Sequence, residues 1–355
     1  MPFNTSSITD TLIAYTDYLK SFVVTPPPAQ TPAVVLNPPQ WMRYLTIGFA
    51  GFLGLKAIQT LYRTMNQKDF RGQVVLITGG GGRSKKSLGR LLALRFARMG
   101  CKVVILDLDQ SAINDVVAQI KQEGGFAKGY VCDITNYEKV YEIADVITKD
   151  VGPVDVLVNN AGIVSGQRIL EANEKRMEVT MKVNTIAHFW TVKAFLPGMM
   201  ERQRGHIITI ASAAGLAGSP GLVDYTASKF GAVGFHESLL AEVVASGMKG
   251  IDLTCVCPFF IDTGMFQGVK GTFFCPVLNA NDVAKRIVQA AKNRDNLLMC
   301  PSWLWAGWVM RLTLPQALMY RLSYGIGLLK GMDTFEGHAA PSEAQEKQLT
   351  TGSAE

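Results

Sequence analysis

HIITIASAAGLAGSPGLVDYTASK, residues 206–229, compresses a strand, a turn and the start of a helix into one stretch. Its first six residues are a largely β-branched run, and its Ser-, Gly- and Pro-rich middle breaks that run. From 224 to 246, apolar residues then recur at helical spacing. The same alternation extends in both directions. Short apolar runs read as strands at 74–78, 102–107, 127–132, 154–159, 206–211, 252–257 and 296–300. The stretches 88–99, 110–122, 137–150, 173–200, 224–246 and 280–293 read as helices between them. Strands that alternate with helices build a parallel sheet through right-handed crossovers. The expectation is an α/β fold with a doubly wound, parallel seven-stranded sheet and helices on both faces.

Tyr225 and Lys229 fall one helical turn apart and so share a face, which would let the lysine ammonium lower the pKa of the phenol. A tyrosinate reached in this way is a general base toward an alcohol, and the phenol is a general acid toward a carbonyl. Ser212, at the end of its strand, would donate a hydrogen bond to the same substrate oxygen. A Tyr and a Lys at this spacing are also common on solvated surfaces, so the surrounding residues decide the matter.

Those residues are Asn159-Asn160-Ala161-Gly162 after VDVLV, Asn184 within KVNTIAHFW, and Ser212 ahead of Tyr225-Thr226-Ala227-Ser228-Lys229. Over roughly residues 72–300 the chain resembles the short-chain dehydrogenase/reductase superfamily, which implies a Rossmann-type domain. The resemblance implies that Tyr225 is the catalytic acid/base and that Lys229 tunes it while holding the nicotinamide ribose. It also implies that Ser212 orients the substrate oxygen, and that Asn184 kinks its helix and holds a water in a proton relay. Asn160, Ala161 and Gly162 would line the cofactor cleft, Asp133 would contact adenine, and Pro258 and Thr263 would close over the nicotinamide carboxamide.

Asp107 ends the second strand, where a carboxylate accepts hydrogen bonds from the ribose hydroxyls of NAD and repels the 2′-phosphate of NADP. NAD is therefore the expected cofactor, with NADP possible. The glycine loop departs from the family pattern. Gly79 is followed by Gly80-Gly81-Gly82-Arg83-Ser84-Lys85-Lys86-Ser87 before Gly89, about four residues more than the family carries between these glycines. Such an insertion would either spoil the approach of the backbone to a pyrophosphate or bulge outward. In the second case Gly79 and Gly89 stay in place and the cations join the phosphates, where they would also attract a 2′-phosphate.

CPFFIDTGMF (257–266), LVDYTASKFGAVGFHESL (222–239) and the apolar segments at both ends look most like membrane-associated retinol dehydrogenases and their 17-beta-hydroxysteroid dehydrogenase relatives. This implies a lipophilic alcohol or ketone as substrate, at the endoplasmic reticulum or lipid droplet. Phe259, Phe260, Met265, Phe266, Phe273 and Phe274 would supply an apolar wall, or equally core or dimer contacts. Residues 1–40 read as a Pro-rich flexible tail, 41–66 as a membrane-anchor helix and 67–300 as the catalytic domain. Residues 301–332, with Trp303, Trp305 and Trp308, read as a membrane-interface or substrate-lid segment, and 333–355 as a disordered tail. If 41–66 spans, the cations that follow it place the catalytic domain in the cytosol.

The chain has 355 residues, 48% hydrophobic and 18% charged, with a net charge of +6, which excludes a largely disordered polymer. No basic run with interleaved aromatics and no zinc-finger spacing is present, so neither nucleic acid nor a metal is expected as a partner. The six cysteines lie mostly in apolar runs and read as inert core thiols. Two other functions compete with NAD-dependent oxidation. One is NADPH-dependent reduction of a lipid carbonyl. The other is a non-catalytic membrane or lipid-droplet binding protein with an impaired loop, and a homodimer is compatible with any of the three.

Overall fold

Every position of β1 (Val74–Thr78) is buried, as expected of a parallel strand covered on both faces. In the computed structural model it lies within a seven-stranded sheet of order β3-β2-β1-β4-β5-β6-β7. The other strands are β2 (Lys102–Asp107), β3 (Phe126–Val131), β4 (Val156–Asn159), β5 (Gly205–Ile210), β6 (Ile251–Pro258) and β7 (Leu297–Cys300). All pairings are parallel. The structure describes residues 66–82, 84–272 and 276–336, together with positions 40, 44, 46–51, 54, 58, 61 and 65.

Side chains alternate across the sheet and define two cores. Val75, Ile77, Val103 and Ile105 face α1 (Leu88–Arg98), α2 (Gln110–Gln122) and α7 (Ala280–Asn293). Leu76, Val104, Leu157 and Ile207 face α3 (Tyr137–Asp150), α5 (Ala187–Glu201) and α6 (Val223–Ala245). Helix starts are set by short polar side chains that satisfy otherwise orphaned N–H groups. Asp109 caps α2, Asn136 caps α3, Asn173 caps α4 (Glu174–Met181) and Asn279 caps α7. The expected long helix over 173–200 is three pieces: α4, a π turn at Lys182–Ile186, and α5.

Contacts divide the chain into two units, Met1–Thr60 and Leu61–Glu355. In the first, positions 44, 46–51, 54 and 58 are helical and exposed. The rest of the expected 41–66 anchor, the 1–40 tail apart from Gln40, and residues 337–355 lie outside the described residues. At the other end, α8 (Leu304–Thr313) and α9 (Gln316–Gly325) separate at Pro315, whose missing N–H stops the first helix from running on. Each spans about 15 Å, half of a bilayer core. The expected apolar C-terminal segment is thus helical but forms no span. Among the described residues no helix is long and apolar enough to cross a membrane, so the anchor expectation gains no support there.

Candidate active site

β1 and β4 are neighbours from which the chain departs in opposite directions, which opens a crevice at their C-terminal ends. Asn160 laces this crevice together. Its Nδ2 donates to the carbonyls of Thr78 (2.9 Å) and Gly79 (3.1 Å), while Thr78 Oγ1 accepts from the Asn160 and Ala161 N–H groups. Gly79 has φ +64°, and a Cβ on Gly89 would run into the Gly79 carbonyl oxygen and the Asn160 amide. Both positions therefore need glycine, and the N-terminus of α1 comes close to the end of β1. The first-turn N–H groups of α1 then face the cleft, a setting suited to a pyrophosphate.

The loop insertion does not prevent this approach. Ser84–Ser87 folds as a turn, with Ser87 N–H donating to Ser84 O at 2.9 Å and Ser84 N–H to Ser87 Oγ at 3.2 Å. Gly79 and Gly89 stay in contact below it, so the outward bulge is the arrangement adopted. Asp107 lines the cleft, yet its carboxylate is heavily engaged. Oδ2 accepts from the N–H groups of Gly81 (3.0 Å) and Gly82 (3.3 Å), and Oδ1 from those of Leu108 (2.8 Å) and Asp109 (3.2 Å). Four donors match the four lone-pair sites of a carboxylate, so Asp107 anchors the glycine loop here instead of offering free acceptors. Asp133 also lines the cleft and accepts from Thr135 N–H and Oγ1–H.

On the far side, Ser212 follows β5 and its Oγ accepts from Ala214 N–H at 3.1 Å. Tyr225 and Lys229 project from α6, with Lys229 Nζ 5.7 Å from the centre of the tyrosine ring and donating to Ile210 O at 2.9 Å. Ser212, Tyr225, Lys229, Asn160, Ala161, Gly162, Pro258 and Thr263 all border the same cleft of about 2660 Å³. Burial pushes the Tyr225 phenol up to about 12, against an opposing hydrogen bond with Ser212, and pushes the Lys229 ammonium down to about 8. The expected lowering of the phenol is corrected in direction: burial is the largest cause and raises it, with Ser212 the opposing partner.

Asn184 does not open into the cleft. It is fully buried in the π turn, where its Oδ1 accepts from Ile163 N–H and its Nδ2 donates to Ile163 O and Ser228 Oγ, each at 2.9 Å. Its side chain thus locks the stretch after β4 instead of facing substrate. Ser228 was not singled out from the sequence, although it lies inside the Tyr225–Lys229 segment. Beyond Tyr225, Phe260 and Phe266 pack edge to face at 5.0 Å, and Trp303, Trp308 and Tyr320 border the outer cleft. Phe273 and Phe274 lie outside the described residues. Cys101, Cys132, Cys255, Cys257 and Cys300 are buried free thiols, and among the described residues no cluster could hold a metal.

A sequence model of the family described as short chain dehydrogenase matches residues 31–272. The chain belongs to the short chain dehydrogenase family. This short chain dehydrogenase is 39% identical over 298 residues to epidermal retinol dehydrogenase 2 of Homo sapiens, covering 82% of this chain and 94% of that protein. It is 35% identical to estradiol 17-beta-dehydrogenase 11 of Mus musculus, covering 77% and 90% of the two chains. Among solved structures it resembles a short chain dehydrogenase/reductase from Burkholderia phymatum in complex with NAD (TM-score 0.63, 26% identity, 69% of this chain and 95% of that one). It also resembles a metagenomic short-chain oxidoreductase in complex with NADP (TM-score 0.54, 26% identity, 65% and 96%). The protein is an NAD(P)-dependent oxidoreductase of the alcohol dehydrogenase/reductase type.

Proposed function

We propose that the protein oxidises a lipophilic alcohol with NAD, its substrate resembling the retinol and estradiol for which its relatives are named. The observation that carries this reading is the continuity of one cleft. It runs from the glycine loop past Ser212, Tyr225 and Lys229 to an outer chamber bordered by Phe260, Phe266, Trp303 and Trp308. An apolar chamber with a few convergent polar groups suits a hydrophobic molecule that carries one oxygen. The carboxylate of Asp107 supports NAD, since its charge disfavours a 2′-phosphate even with its lone pairs engaged. Lys86 supports the same choice, because its ammonium is paired with Asp262 and not with Asp107.

A nicotinamide, when bound, supplies the hydride acceptor or donor. The first turn of α1, Gly79, Asp133, Asn160 to Gly162, Pro258 and Thr263 would hold the dinucleotide, on the glycine loop that Asp107 anchors. Tyr225 would exchange the proton with the substrate oxygen, Ser212 would donate a hydrogen bond to that oxygen, and Lys229 would supply positive charge behind the phenol. Asn184 and Ser228 would hold the helix that carries them.

The protein would work at the endoplasmic reticulum or lipid droplet with its catalytic domain in the cytosol, anchored through 41–66 and lying against lipid through 301–332. The exposed Trp303, Trp305 and Tyr324 near Arg311 and Lys330 favour this placement. The deciding experiment titrates purified protein with NADH and NADPH by tryptophan fluorescence, then follows NADH formation with retinol or estradiol. Tighter NADH binding with turnover is expected. Binding of neither nucleotide would overturn the reading.

A further inference from the structure

The inserted turn reaches the loop that follows β6, and residues on either side of the contact border the cleft. Lys86 Nζ donates to Asp262 Oδ2 at 2.5 Å. Asp262 is held from behind, its N–H donating to Leu278 O at 2.9 Å, while Ile261 bridges to Leu278. Ser84 also approaches the loop, since a Cβ on Gly264 would lie 3.8 Å from Ser84 Cβ. Gly82, Ser84, Ser87 and Gly89 line one wall of the cleft here, and Ile261, Thr263 and Gly264 line the other. The Lys86–Asp262 pair therefore joins the two walls above the N-terminus of α1.

We propose that Lys86 and Asp262 form a clasp over the dinucleotide cleft that sets how long the cofactor stays bound, an inference that rests on the nucleotide-binding reading above. Both side chains are more than half exposed, at 62% and 55%, so the pair is weak and opens readily. That suits a closure that must open once in every turnover. Because the Lys86 ammonium is spent on Asp262, the clasp does not read a 2′-phosphate and acts alike on NADH and NADPH.

The test is stopped-flow release of NADH and NADPH from the full-length protein, read by tryptophan fluorescence. Lys86→Ala and Asp262→Ala are each expected to speed release of both nucleotides by about twofold to fivefold. The exchanged pair Lys86→Asp with Asp262→Lys is expected to restore the slower rate. High salt should speed release from the unmodified protein by a larger factor than from the single variants, so that their rates converge. Unaltered release in both single variants would overturn the clasp while leaving nucleotide binding intact. So would faster release in Lys86→Ala alone, which would make Lys86 a direct phosphate contact, and an effect confined to NADPH would make it a reader of the 2′-phosphate. Failure of the unmodified protein to bind either nucleotide would overturn the functional reading and the clasp together.

Discussion

Asn184 Nδ2 donates to Ser228 Oγ at 2.9 Å, and Ser228 Oγ in turn donates to the backbone carbonyl of Tyr225 at 2.7 Å. The π turn is thereby joined to the helix that carries the candidate acid/base, with Thr185 Oγ1 adding a bond to Ser228 O at 2.6 Å. Ser228 is fully buried, so removing its hydroxyl leaves two polar groups short of a partner. Ser228→Ala is expected to cost about 1–3 kcal/mol of stability and to lower kcat more than it changes KM. Thermal melts with steady-state kinetics check this, and an unchanged kcat would leave Ser228 a purely structural residue.

Tyr225→Phe is expected to lower kcat by at least about 100-fold while NADH affinity stays within about twofold. Because burial holds the phenol near 12, it keeps its proton at neutral pH and is ready to act as an acid toward a carbonyl. Oxidation needs the phenolate, so kcat/KM for an alcohol should climb as pH rises above neutral, while carbonyl reduction should not. The climb should break as Lys229 loses its charge near 8. Paired pH–rate profiles in the two directions measure this, and a flat oxidation profile would remove Tyr225 as the base.

Asp107→Ala frees the amides of Gly81 and Gly82 and removes the charge beside them. NADH should bind about tenfold more weakly, of the order lost with hydrogen bonds to a charged group, and the preference over NADPH should shrink. Fluorescence titration of both nucleotides decides the point. Weaker binding of both by the same factor would assign Asp107 to loop anchoring alone.

His188 is buried with neither ring nitrogen hydrogen-bonded, and burial pushes it down to about 3; His236 is pushed down to about 4. The unfolded chain takes up protons at both residues below about 6.5, whereas the native state stays neutral until pH 3–4. Stability is thus lost as pH falls through this window. His188→Leu is expected to raise the melting temperature at pH 5 relative to the parent, with little gain at pH 8. Melts across pH would show it, and an equal shift at both values would assign the change to packing.

The sheet was legible because its signals are local. The bounds read from the sequence for β1, β2, α2, α3 and α7 coincide with the structure, since short apolar runs, helical spacing and Asn or Asp caps are written within a few neighbouring residues. The break of the 173–200 helix at Asn184 was legible only through the family resemblance. Nothing in the spacing of that stretch announces a π turn.

By itself the sequence determined the strands, most of the helices and the residue types that surround the cleft. Only the tertiary structure decided that Asp107 spends its lone pairs on the glycine loop, that burial raises the Tyr225 phenol, and that Ser228 joins two helices. It also decided where the inserted turn goes, for Lys86 and Asp262 meet across 176 positions of chain. Hydrogen bonds, ion pairs and burial depend on which distant segments the sheet brings together. Local periodicity carries no record of that.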